Sequence, residues 1–217
     1  MIAERSQQGE IRRGWNQNPI GDLNKVPQPI ELRTGFLNRL RTKAEKDELR
    51  VKCGGRITDC RIPELHEVLA LFNGRGSTLH LELKYGPGDP PGLLKAVIEV
   101  LKRYPDQEVT LSSFNHADLL RRVPRSVPIG VLTNAMPPDF ASWIEQFTES
   151  GRSLSEIAFH PDIWNLTDEV LVAARKLGMT INAYTVPPSM FEWCLSNGVN
   201  PITDHLLEAV EWLRLRG

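Results

Sequence analysis

Glu82 and Lys84 place a carboxylate and an ammonium in Leu79-His80-Leu81-Glu82-Leu83-Lys84, a segment that otherwise reads as a buried strand. In an extended chain successive side chains alternate in direction, so Leu79, Leu81 and Leu83 share one face while His80, Glu82 and Lys84 share the other. A strand flanked by apolar helices is normally covered on both sides, and opposite charges stranded there without partners cost several kcal/mol in desolvation. Something polar must meet them. One reading is a metal ion or a phosphate at the carboxyl end of a barrel strand; the other is a Glu/Lys pair buried in a polar barrel interior.

The elements that must position these charges begin at Arg61, where short apolar runs start to alternate with amphipathic segments. Pro63 opens a helix with Leu65, Val68, Leu69 and Phe72 on one face and Gly74 beyond its end. After the Leu79 to Lys84 strand comes a helix with Leu93, Leu94, Val97, Ile98 and Leu101, then a strand over 108–113. Asn115 caps a helix reaching Arg122, Pro128 to Leu132 is the next strand, and Phe140, Trp143, Ile144 and Phe147 form a helical stripe. Ser155 to His160 is a strand, and Thr167 caps a helix that Gly178 ends. Met179 to Val186 is a strand, Ser189 to Asn197 a short helix, Asn200 to Thr203 the last strand, and Asp204 caps the final helix. Six strand-then-helix units follow.

Such alternation demands parallel strands joined by right-handed crossovers, in a doubly wound open sheet or a closed barrel. Lys84-Tyr85-Gly86-Pro87-Gly88 has proline where a dinucleotide-binding loop needs backbone amides, which disfavours the open sheet. Polar residues also fall late in their strands: Glu82 and Lys84, Ser112 and Ser113, Tyr184 and Thr185, Thr203 and Asp204. Barrel enzymes build their sites at those strand ends. The expected class is α/β, an incomplete (β/α)8 barrel of the TIM type with about six recognisable βα units.

Composition narrows the function less. The 217 residues are 41% hydrophobic and 24% charged with net charge -1, too near neutral to suggest nucleic acid or an anionic membrane as partner. Cys53, Cys60 and Cys194 are odd in number and lack metal-type spacing, which fits reduced thiols in a cytoplasm. No signal-like stretch opens the chain, and none reaches the roughly 18 apolar residues of a membrane span. A soluble, cytoplasmic protein is expected. Residues 1–60 form a separate, atypical polar segment, irregular or disordered, ahead of the barrel portion at 61–217. Pro19, Pro27 and Pro29 break its first half, charges crowd its second, and 35–40 is its apolar cluster.

Five blocks together resemble the glycerophosphodiester phosphodiesterase family in order and spacing: Arg61 to Leu69, Leu79 to Lys84, Leu111-Ser112-Ser113-Phe114, Ala183-Tyr184-Thr185-Val186 and Gly198 to Asp204. The resemblance runs from Arg61 to the end and corresponds to the family's third strand onward. It implies a (β/α)8 barrel that hydrolyses glycerophosphodiesters to glycerol 3-phosphate and an alcohol, with a divalent ion, Ca²⁺ or Mg²⁺, at the strand ends. Carried over by position, Glu82 is similar to the family's third metal carboxylate and Lys84 to the cation that meets the substrate phosphate. Phe114 and Tyr184 stand where the family has aromatic walls for the glycerol and leaving group, Tyr184 in place of the usual Trp and Pro187 in place of the usual Asn.

The same resemblance shows what is missing. The family's first strand ends in His-Arg-Gly, and its second supplies a Glu-x-Asp metal pair followed by His-Asp. No histidine precedes His66, which falls on a helix surface, and Glu45-Lys46-Asp47 lies in a charged, helix-favouring stretch. His80 sits deeper in the barrel than Glu82, and His116 follows a cap on an exposed turn; none of His80, His116, His160 and His205 is assigned catalysis. Metal binding in this chain is therefore expected to be weak or absent. Six strands also leave open edges that the first 60 residues are poorly composed to cover. Three explanations are open: a misread or truncated frame ahead of an ordinary family enzyme, a genuine replacement that makes an inactive phosphate-binding pseudoenzyme, or a second chain or second copy that completes the barrel. Another phosphate-handling barrel of different chemistry is a further alternative.

Overall fold

The computed structural model describes residues 59–85, 92–137 and 139–216 in full, and ahead of them the backbone of four short strands. These are β1 (Ala3–Arg5), β2 (Ile11–Arg13), β3 (Val51–Cys53) and β4 (Arg56–Ile57), paired in that order, antiparallel except for β2 with β3. The expected irregular segment over 1–60, its apolar cluster at 35–40, the Glu45-Lys46-Asp47 triplet and the Gly86-Pro87-Gly88 turn otherwise fall outside the described residues. The chain divides into two compact units, Met1–Leu111 and Ser112–Gly217.

In the first unit, α1 (Leu65–Phe72) buries Val68, Leu69 and Phe72 on one stripe. It begins at Leu65 and not at Pro63, because the Glu67 carboxylate accepts from the Glu64 amide at 2.7 Å and so caps the first turn. Then come β5 (Leu79–Glu82), α2 (Leu93–Leu101), which buries Leu94 and Val97, and the start of β6 (Val109–Ser113). The expected alternation holds for the leucines of β5: Leu79, Leu81 and Leu83 are all buried. Its other face is only partly covered, since His80 is exposed while Glu82 is buried.

The second unit continues with α3 (His116–Arg122), β7 (Ile129–Thr133), α4 (Phe140–Thr148), β8 (Ile157–Pro161) and α5 (Asp168–Lys176). It ends with β9 (Ile181–Ala183), α6 (Phe191–Ser196), β10 (Val199–Pro201) and α7 (Leu206–Arg214). Asn115 and Thr167 cap α3 and α5 as expected, the Asn115 side chain accepting from Asp118 N and the Thr167 hydroxyl from Val170 N. Several boundaries differ, β7 running one residue later than expected and β8 opening at Ile157. The β9 ladder is shorter than Met179 to Val186, with an isolated parallel bridge carrying Tyr184 onto Asp162. The expected helix from Ser189 opens with a 3-10 turn at Pro188–Met190, β10 ends at Pro201, and the N-cap position of α7 is His205 and not Asp204.

The strand order of the larger sheet is β10-β9-β8-β7-β6-β5, so every neighbour in the sheet is also the neighbour in sequence. Pairing is parallel through β7, β8, β9 and β10. A doubly wound sheet reverses its strand order at a switch point, whereas a barrel keeps adding strands in one direction. No reversal occurs over these six strands, which identifies the α/β fold as an incomplete (β/α)8 arrangement.

Register then sorts the side chains. Phe159 of β8 meets Phe140 and Trp143 of α4 at ring centroid distances of 5.0 and 6.0 Å, so the odd residues of β8 face the helices. His160 therefore points to the opposite face, where it lies 1% exposed over Gly130. A Cβ at Gly130 would stand 2.5 Å from His160 Cε1 and 2.6 Å from its Nε2, closer than atoms can pack. Gly130 is required there to make room for the ring. Among the described residues, no helix is long and apolar enough to cross a membrane.

Two predictions come from this packing. Gly130→Ala is expected to cost about 1–3 kcal/mol in urea denaturation, and much of that cost should vanish in the background of His160→Ala; strictly additive effects would contradict the close approach. Helix α4 is capped by Asp139, whose carboxylate accepts from the Ser142 hydroxyl at 2.6 Å and its amide at 3.0 Å, and these bonds, the hydroxyl's foremost, lower the carboxyl pKa. A depressed acid contributes stability that is fully present above its ordinary value, near pH 4, and is lost as pH falls through the lowered one. Asp139→Asn should reduce the urea midpoint at pH 7, with the gap to wild type closing below about pH 4; a gap that persists down to pH 2 contradicts the assignment.

Candidate active site

Two groups of residues stand at the carboxyl ends of strands, one in each unit. In the first, Glu82 closes β5 and Lys84 follows two positions on, both on the face opposite the leucines. Lys84 Nζ lies 3.1 Å from Glu82 Oε1, with the carboxylate side chain 10% exposed and the ammonium side chain 29% exposed. The pairing that the sequence leaves open as an alternative is thus present. It does not exhaust the lysine, because an ammonium carries three donors and this one keeps an open side. Paired charges at this depth contribute little net stability, since the Coulombic gain is offset by desolvation. Their value is positional: the carboxylate holds the cation at the strand end.

In the second unit, Phe114 follows β6 and Tyr184 follows β9, and their rings meet edge to face at 6.3 Å. Phe114 is 48% exposed, so one of its faces is available to a ligand. Tyr184 is fixed more firmly, its hydroxyl donating to Thr133 O at 3.0 Å and its carbonyl accepting from Ile163 N at 2.6 Å. The loops after β7, β8 and β9 are bound together by further bonds, Asp162 N to Thr133 O at 2.9 Å and Asn165 Nδ2 to Asn134 O at 2.9 Å. The Asp162 side chain in turn accepts from Trp164 N.

Sequence reasoning missed this lattice of loop contacts. Thr133 and Asn134 directly follow the apolar run of β7, and the same strand-end logic that selected Ser112 and Tyr184 applies to them. His116 also stands elsewhere than on an exposed turn. It is half-buried, its Nε2 donates to Leu132 O at 2.7 Å, and its ring lies 5.6 Å from Trp143 and 5.7 Å from Phe147. His160, Asn182 and Asn200 form a polar chain across β8, β9 and β10, with Asn182 Nδ2 at 2.9 Å from His160 Nε2 and Asn200 Nδ2 at 2.8 Å from Asn182 Oδ1. Asn182 has its carbonyl oxygen engaged by Asn200, so its NH₂ faces the ring, and His160 Nε2 is the acceptor of a neutral imidazole. His66 behaves as the helix-surface residue expected, with its imidazole 3.2 Å from the Glu64 carboxylate.

The donors present bear on the divalent ion that the resemblance implies. Among the described residues no three His, Cys, Asp or Glu side chains gather into a group able to hold a metal. Glu82 is one carboxylate with an ammonium against it, whereas calcium takes six to eight oxygen ligands and magnesium a near-octahedral set. The described residues do not by themselves fit a divalent metal site.

No protein-family model matches the chain. It is 27% identical over 139 residues to a glycerophosphodiester phosphodiesterase of Caldanaerobacter subterraneus subsp. tengcongensis, a match covering 63% of this chain and 54% of that protein. Among solved structures, a putative glycerophosphodiester phosphodiesterase of Galdieria sulphuraria superposes with a TM-score of 0.62 at 20% identity, over 80% of this chain and 70% of that one. A phosphodiesterase of Oleispira antarctica, in complex with the product sn-glycerol-3-phosphate, gives a TM-score of 0.59 at 21% identity, over 70% and 61%. Identities this low establish the shared fold. The chain spans about half the length of the curated relatives it matches. The curated relative is a glycerophosphodiester phosphodiesterase, and the chain shares the barrel fold of the solved neighbours.

Proposed function

We propose that the protein acts on glycerophosphodiesters, hydrolysing them to glycerol 3-phosphate and an alcohol, and that the described βα units supply the part that grips the substrate. In this reading Lys84 donates to a phosphate oxygen, Phe114 and Tyr184 wall the glycerol and the leaving group, and Glu82 orients the lysine. The observation that carries the reading is the 3.1 Å contact between Lys84 and Glu82 at the end of β5. A lysine held by one carboxylate with an open side is pre-organised for a phosphate and for the charge that builds on the equatorial oxygens as water attacks phosphorus and the P–O bond to the alcohol breaks.

A second reading, phosphate binding without turnover, is favoured by the same contact seen from the carboxylate's side. Glu82 pairs with an ammonium, and among the described residues no three His, Cys, Asp or Glu side chains gather into a group that could hold a metal. Release of glycerol 3-phosphate from glycerophosphocholine, assayed with calcium and with magnesium, separates the two. The expected outcome is turnover that Lys84→Ala lowers about 100-fold or more and that Glu82→Ala also impairs. Saturable binding of glycerophosphocholine without any release supports the second reading; neither binding nor release overturns both.

A further inference from the structure

A cavity of about 340 Å³ opens beside Phe114, between the loops that follow β6 and β7 and the Trp143 side of α4, and every residue that lines it belongs to the second unit. Three rings stand in its wall, Phe114, His116 and Trp143, with the Met136 thioether and the polar Thr133 and Asn134 beside them. The His116 ring is held in place, its Nε2 donating to Leu132 O at 2.7 Å and its ring meeting Trp143 edge to face at 5.6 Å. Phe114 is 48% exposed and has ring surface left for a ligand.

The charges around this cavity are of one sign. No lysine or arginine lines it. Between Arg125 and Arg175 the chain carries Asp139, Glu145, Glu149, Glu156, Asp162, Asp168 and Glu169, and Arg152 is the one lysine or arginine among them. That guanidinium is 3% exposed and donates to Val123 O at 2.7 Å, Pro124 O at 2.9 Å and Val127 O at 3.3 Å, all ahead of β7 and so at the end of that strand away from the cavity. At the cavity end, Asp162 donates its amide to Thr133 O in the wall at 2.9 Å. Its half-buried carboxylate accepts from Trp164 N at 2.9 Å and has no cationic partner among the described residues.

These features select among ligands. An anion would meet no cationic side chain and an adverse field. A hard metal ion needs several oxygen ligands, and among the described residues no three His, Cys, Asp or Glu side chains gather. A cation whose charge is spread over methyl groups gives up little hydration, gains from ring faces, and is attracted by a carboxylate at longer range.

We propose that this cavity is a binding site for an organic ammonium ion, a methylated amine held by Phe114, His116 and Trp143 in the field of Asp162. It makes no use of the Lys84 contact and is tested apart from it. In the full chain, tetramethylammonium should shift the indole N–H resonance of Trp143 with a Kd on the order of millimolar, while equal concentrations of tert-butanol, its neutral counterpart, and of sodium leave that resonance in place. Asp162→Asn keeps an oxygen to cap Trp164 N and removes only the charge; it should weaken the binding about threefold or more, as should Phe114→Leu, which removes a ring. A response to tert-butanol equal to that of tetramethylammonium overturns the cation site. So does a Trp143 resonance unmoved by tetramethylammonium at 100-fold the expected Kd, about 100 mM, or an affinity that neither folded variant changes.

Discussion

A carboxylate that is nine-tenths removed from water at the end of a strand must have a positive partner, and in this protein the partner comes from the same strand. Glu82 and Lys84 share a face only because the side-chain period of a strand is two. A one-residue slip would turn the leucines to the inner face and both charges toward the helices. Leu79, Leu81 and Leu83, all buried, fix the register that keeps the charges where they are. The hydrophobic effect on one face of β5 thus places the ion pair on the other, and the proposed phosphate contact depends on that coupling.

The second unit reaches an ordered strand-end surface by a different route. Its β8 strand is buried almost throughout, and the fit of His160 over Gly130 leaves little freedom in how β7 and β8 align. Above them, Thr133 O accepts two bonds and ties the loops after β7, β8 and β9 into one network. Satisfying these backbone groups internally makes the loops stiff.

Much of this fold was legible from periodicity and caps. The leucine alternation of β5, the stripe of Phe140, Ile144 and Phe147 in α4, and the Asn115 and Thr167 caps each rest on local rules, and each is found where expected. Local rules failed where a neighbour decides. Pro63 is displaced as a helix start by the Glu67 carboxylate on the Glu64 amide, and β9 is cut short where Tyr184 turns to bridge Asp162. The Glu82–Lys84 pair could be read from one strand because both partners lie on it. The His160–Asn182–Asn200 chain spans three strands and could not be read, because cross-strand register is absent from any single segment. His116 was misplaced for the same reason: the carbonyl and rings that bury it belong to β7 and α4.

The central claim is that the Lys84 ammonium, held by Glu82, is the group that meets the substrate's phosphate. It is tested most directly by observing the lysine Nζ resonances by ¹⁵N NMR during titration with glycerol 3-phosphate. The account predicts that Lys84 Nζ shifts in proportion to ligand bound, and that Glu82→Gln changes the starting position of that resonance without removing the response. Saturable binding with Lys84 Nζ unmoved, or binding of equal affinity in Lys84→Gln, would contradict it.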